Sequence, residues 1–150
     1  MGTSTLKHKI VEWLKRYVPA EIVAVVGALV GGLITHQLFG HPVLTALGGT
    51  WGENLGFYGK IIYSDIQARR QKDEKITLIG FLKVVRNIVF EFGVAEAADS
   101  FVLRPMAMYV FPQLTGNVAL GLLLGKFSAD LTFYLPTIIF YELRKKLFKD

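Results

Sequence analysis

The amino-acid sequence predicts an all-α integral membrane protein: four transmembrane helices in two parallel internal repeats, with two interfacial amphipathic helices. Three observations carry this expectation. First, 52% of the 150 residues are hydrophobic, only 19% are charged, and the mean hydropathy is +0.41. The apolar residues also stand in long blocks, unlike those of an average soluble domain. Second, the chain repeats itself at a spacing of about 75 residues, with one residue of slippage. Trp51-Gly-Glu-Asn54-Leu-Gly-Phe57-Tyr58 faces Phe127-Ser-Ala-Asp130-Leu-Thr-Phe133-Tyr134, Val18–Glu21 faces Gly93–Glu96, and Gln37–Gly40 faces Gln113–Gly116. Third, the basic residues cluster in three segments, while the turns at Gly40 and Gly116 carry none. The chain therefore reads as one membrane domain, residues 1–150, with repeat 1 over 1–75 and repeat 2 over 76–150.

Thr5–Val18 places Leu6, Ile10, Trp13, Leu14 and Tyr17 at helical spacing among lysines and arginine, the pattern of a helix lying on a lipid surface. Pro19 then fits the first turn of a new helix, where Glu21 would meet the positive end of the helix dipole. The first span runs from Ala20 to Leu38. Ile22–Phe39 contains no formal charge apart from His36, and about 20 such residues cross a hydrocarbon core. Lys7, Lys9, Lys15 and Arg16 ahead of an apolar run resemble a secretory signal. The run ends in Thr-His-Gln-Leu-Phe-Gly rather than a small-x-small site, so the segment is expected to be retained.

Gly40-His41-Pro42 makes a turn into span two, Pro42–Tyr63, and Ser64–Lys75 reads as a charged loop. Thr77–Phe92 would bring Lys83, Arg86 and Glu91 into the membrane if it spanned; the repeat equates it with the N-terminal helix, so it reads as the second interfacial helix. Span three covers Ala95–Leu114. After Thr115-Gly116-Asn117, span four covers Val118–Tyr141, with only Lys126 and Asp130 charged inside. All three basic segments (Lys7, Lys9, Lys15, Arg16; Arg69, Arg70, Lys72, Lys75; Arg144, Lys145, Lys146, Lys149) then fall on one side. The positive-inside rule makes that side cytoplasmic, with both termini, as in a bacterial inner membrane. The net charge of +5 is assigned to topology and anionic-lipid contact, not to nucleic acid. Two spans per repeat give the copies one orientation, related by a pseudo-twofold axis along the membrane normal.

Small residues four apart (Ala24, Ala28 and Gly32; Gly27 and Gly31; Gly48, Gly52 and Gly56; Gly121 and Gly125) predict close helix contacts, internal or with a second subunit. Glu53, Arg104 and Asp130 fall near mid-membrane, Lys126 toward the outer half, and Asp99 one turn in from the cytoplasmic side. Buried ionisable groups face a partner or a cavity. Arg104 either pairs with Glu53 or Asp130 to fix packing, or joins Glu53, Asn54, Asp99, Lys126 and Asp130 in a site for a small solute, ion or lipid. Pro105 and Pro136 would free the carbonyls of Phe101 and Thr132. The aromatics Trp51, Phe57, Tyr58, Phe127, Phe133 and Tyr134 read as core filler or as walls for an apolar ligand.

The absence of cysteine excludes disulfides and thiolate chemistry. His36 and His41 straddle a turn and make a poor metal pair, and no metalloprotease, phosphate-loop or nucleophile-elbow motif occurs. No catalytic residue, metal or cofactor is expected. Two other functions stay open: a non-catalytic subunit or assembly factor of a membrane complex, and a lipid-acting enzyme using Glu53 or Asp99 as acid–base with Arg104 on a phosphate. A homodimer or another membrane protein is the expected partner.

Overall fold

In a computed structural model, which describes residues 2–72 and 77–148, every regular element is helical. Lys75 and Lys149, counted in the basic segments, lie outside the described residues. Helix α1 runs from Gly2 to Phe39 and α2 from Pro42 to Gln71. Helix α3, Leu78–Ala98, passes without a break through a π-helical turn, Asp99–Leu103, into α4, Arg104–Thr115. Helix α5 covers Val118–Leu147.

The turns follow local chemistry. Gly40 and Gly116 adopt φ of +60° and +64°, a left-handed conformation in which a side chain would be strained. Pro42 then occupies the first turn of α2, where its missing amide has no helical partner to lose. Asn117 caps α5 by accepting from the Leu120 amide at 3.0 Å, and Thr77 caps α3 by accepting from the Gly80 amide at 3.1 Å. In the π-turn the Arg104 amide donates to Asp99 O, five residues back. Pro105 has no amide for the Phe101 carbonyl, so a regular α-helix would lose a bond here in any case.

Four boundaries differ from the sequence expectation. Residues 5–18 form no helix of their own: α1 continues through Pro19. Trp13 and Tyr17 pack into the bundle, which holds the helix together despite the missing bond to Lys15. Thr77–Phe92 likewise continues into the third predicted span. Ser64–Gln71 is helical rather than a loop, and α5 reaches Leu147 rather than Tyr141. In each case a polar helical segment extends an apolar one, a continuation that hydropathy cannot register.

The two hairpins close on small residues. Gly27 and Gly31 of α1 oppose Gly52 and Gly48 of α2, so close that a Cβ on Gly27 would lie 2.2 Å from the Gly52 carbonyl oxygen. In the second hairpin a Cβ on Gly121 would lie 2.2 Å from Pro112 Cα, and one on Gly125 would lie 2.9 Å from Ala107. Between the hairpins sits an aromatic core of Tyr17, Phe57, Phe92 and Phe133, with a smaller cluster of Ala28, Ala46, Met108 and Leu122 toward the turns.

The exterior is apolar and part of the interior is charged. Leu131 is 81% exposed and Leu55 78%, whereas Arg104 is 2% exposed and Lys126 0%. This inverts the distribution found in water. Two helices, over Leu6–Phe39 and Val118–Leu147, are long and apolar enough to cross a membrane.

Candidate functional site

Charged side chains converge from all four long helical runs. Helix α2 contributes Glu53, the π-turn Asp99, α4 Arg104, α5 Lys126 and Asp130, and α1 Glu21. The guanidinium of Arg104 faces three carboxylates: Nε donates to Asp99 Oδ2 at 2.5 Å, Nη2 lies 3.0 Å from Asp130 Oδ1, and Nη1 pairs with Glu53 Oε2. Lys126 Nζ lies 2.6 Å from Asp130 Oδ2 and 3.7 Å from Glu53 Oε1, and pairs with Glu21 Oε2. The Tyr134 hydroxyl donates to the other oxygen of Glu21. Arg104 therefore answers both pairings expected of it and adds Asp99.

Asn54 enters an adjoining network instead. Its amide donates to Ser100 Oγ at 2.6 Å and to Glu96 Oε1 at 3.1 Å, and the hydroxyls of Ser100 and Tyr58 also donate to Glu96. All six residues singled out from the sequence are thus buried and share this region. Asp99 and Lys126 are wholly enclosed.

Sequence reasoning assigns no site role to Glu21, Glu96 or Ser100, and reads Tyr58 and Tyr134 only as aromatic lining. Glu21 reads in sequence as a first-turn partner of a helix dipole; with α1 and α3 continuous, Glu21 and its repeat partner Glu96 both lie mid-helix and bond to side chains. The signal available was recurrence: Glu21 matches Glu96, and Tyr58 matches Tyr134, each glutamate accepting from one of those tyrosines. The predicted aromatic lining divides three ways. Phe57 and Phe133 fill the core, Tyr58 and Tyr134 bond to carboxylates, and Trp51 and Phe127 face outward.

Glu21, Glu53, Asp99 and Asp130 set four carboxylates against two cations, Arg104 and Lys126. Buried like charges are costly, so the excess must be met by protons or by a further cation. Oxygens of Glu21, Glu53 and Asp130 lie within 4.8 Å of one another, a spacing able to hold a metal ion. Lys126 Nζ already contacts all three, so a metal fits only where this ammonium withdraws. A phosphate meets an unfavourable field, because each cation already faces three carboxylates. This argues against the headgroup role considered for Arg104.

A cavity of about 510 Å3 opens between α1 and α5, lined by the apolar Val18, Ile22, Val25, Phe127 and Leu131 together with Glu21, Asp130 and Tyr134. A second, of about 250 Å3, shares Val18, Glu21 and Tyr134 and extends toward Trp13 and Leu14. Comparison with family models, curated proteins and solved structures finds no match.

A separate charged layer lies toward the N-terminal end of α1. Arg16 binds Asp65 at 2.7 Å and Glu91 at 3.0 Å, and Glu91 also accepts from Tyr17 at 2.7 Å. These bonds tie Glu91 to α1. Burial would raise the Glu12 carboxyl, but hydrogen bonds from Lys145 and Tyr141 hold it below the usual carboxylate range. Glu142 is lowered in the same way: hydrogen bonds from Lys9, Trp13 and Lys145 outweigh its burial.

Proposed function

We propose that this chain is a four-span membrane protein built of two like-oriented copies, whose buried centre binds or conducts a small cation or proton. One observation carries the reading: three enclosed carboxylates and the half-buried Glu21 face two cations, which leaves capacity for positive charge inside an apolar-surfaced bundle. The spans are placed at residues 20–38, 42–63, 95–114 and 118–141. The three basic segments lie at the ends away from Gly40 and Gly116, which favours a cytoplasmic position for both termini and contact with anionic lipids.

Several features support two copies. The run from Leu78 to Thr115 is as long as α1, and α2 and α5 have 30 residues each. Glu21 and Glu96 are 75 residues apart, while Gly40 and Gly116 are 76 apart, so the slippage falls across the π-turn, which accommodates one extra residue. Matched positions also touch each other: Arg16 meets Glu91, Tyr17 meets Phe92, and Phe57 meets Phe133, the last two pairs with ring centroids 6.2 Å apart. Matched positions in contact at several depths favour a pseudo-twofold axis running along the helices.

A second reading has its own observation. Arg104 joins α2, the π-turn and α5, and Lys126 joins α1, α2 and α5, which suits a lock between hairpins in a non-catalytic subunit. Glu53→Gln, Arg104→Met and the double variant separate the two. On the cation reading, the purified wild type releases protons when sodium or potassium is added to a weakly buffered solution. Glu53→Gln should then stay monodisperse and lose most of that release. Singles that misfold alongside a double that recovers would assign the charges to packing and overturn the cation reading.

A further inference from the structure

The cavity between α1 and α5 pairs two chemistries that a bare ion does not need together. Its lining is mostly apolar, with Ile22, Val25, Phe127 and Leu131, and also includes Glu21 and Asp130 of the ionic centre. The Glu21 side chain is 23% exposed, against 11% for Asp130 and 4% for Glu53, so a molecule entering the cavity meets Glu21 first. Behind it Asp130 is nine-tenths buried, and its Oδ1, although 3.0 Å from Arg104 Nη2, makes no hydrogen bond among the described residues. The centre already holds one alkylammonium group of its own. Lys126 brings four methylenes and an ammonium to Glu21, Glu53 and Asp130, with Nζ 5.6 Å from the Phe127 ring centre. Excess carboxylate next to an apolar trough complements a second group of the same kind.

We infer that this cavity binds an amphiphile with a protonated amine head, the head on Glu21 and Asp130 and the chain along Ile22, Val25 and Leu131. The inference rests on the cation-accepting reading of the centre and assigns it a ligand class. An anionic amphiphile is repelled by the same carboxylates, and an alcohol of equal length retains the chain contacts but lacks the charge. The second cavity, which shares Val18, Glu21 and Tyr134 with the first, lies beside it toward Trp13 and Leu14.

Equilibrium dialysis of the purified full-length protein in non-ionic detergent, with labelled dodecylamine, dodecan-1-ol and dodecanoate, tests this. Dodecylamine should saturate at one per chain and bind at least tenfold more tightly than dodecan-1-ol, with dodecanoate weakest. Glu21→Gln should bring the amine to the level of the alcohol, and Val25→Phe, which fills the trough, should weaken both. Equal binding of amine and alcohol to the wild type overturns the inference, as does a full amine preference in folded Glu21→Gln. If Glu21→Gln fails to fold, Val25→Phe decides: unchanged amine affinity there removes the chain from the cavity and overturns the inference. Proton release by inorganic cations without amine preference removes the ligand assignment and leaves the small-cation reading standing. Amine preference without such release does the reverse.

Discussion

Glu12 and Glu142 show what single carboxylates contribute where the bundle carries its N-terminal charged layer. Both are held below the usual carboxylate range by hydrogen bonds from Lys145 and Tyr141, and from Lys9, Trp13 and Lys145. A group whose folded pKa is depressed adds stability above its unfolded value and loses it as pH falls through the folded one. Thermal unfolding of the wild type should therefore move to lower temperature as pH drops below about 4, and Glu12→Gln/Glu142→Gln should show a shallower decline. An identical pH profile for the variant would remove these two groups from the acid response. Glu21 teaches the opposite lesson about reading residues singly. Beside Pro19 it fits a helix start so well that the sequence offers no reason to seek another partner. Its bonds to Lys126 and Tyr134 depend on residues more than a hundred positions away.

At the scale of elements, the glycines decide how closely helices approach. Gly52→Ala would place a Cβ 2.2 Å from the Gly27 carbonyl oxygen, a backbone atom that cannot rotate aside. The hairpin must then separate, at a cost of about 3 kcal/mol, the upper end of typical overpacking. Gly59 lies in the same helix with nothing within 4 Å, so Gly59→Ala should be neutral or stabilise by up to about 1 kcal/mol through helix propensity. Denaturant unfolding of the two variants side by side checks both signs. Most of this level was legible in advance: the glycine rows, the turns at Gly40 and Gly116, and the apolar stretches of all four long helical runs. The continuity of α1 through Pro19 and of α3 past Phe92 into the third predicted span was not. Hydropathy and local breaker rules register a proline or a run of charge, whereas the packing of Tyr17 and Phe92 that carries the helices onward is a tertiary effect. The charged members of the centre were legible for a simpler reason: a charge inside an apolar block is conspicuous. Their common meeting point depended on how the hairpins dock.

For the whole molecule, the two-copy reading predicts that the halves are separable. Residues 1–72 and 77–150, expressed as two chains in one cell, should co-purify as a complex that retains the helical content of the intact protein; failure of either half to capture the other counts against two self-sufficient hairpins. The contact between Arg16 and Glu91 adds a statement about ancestry. On the two-copy reading these are one position in two versions. In a dimer of identical hairpins that position meets itself across the axis, arginine against arginine or glutamate against glutamate, each pair repelling. On the same reading, opposite charges there require two copies free to diverge. On that reading the bridge is younger than the duplication, and no symmetric dimer of either half can form it.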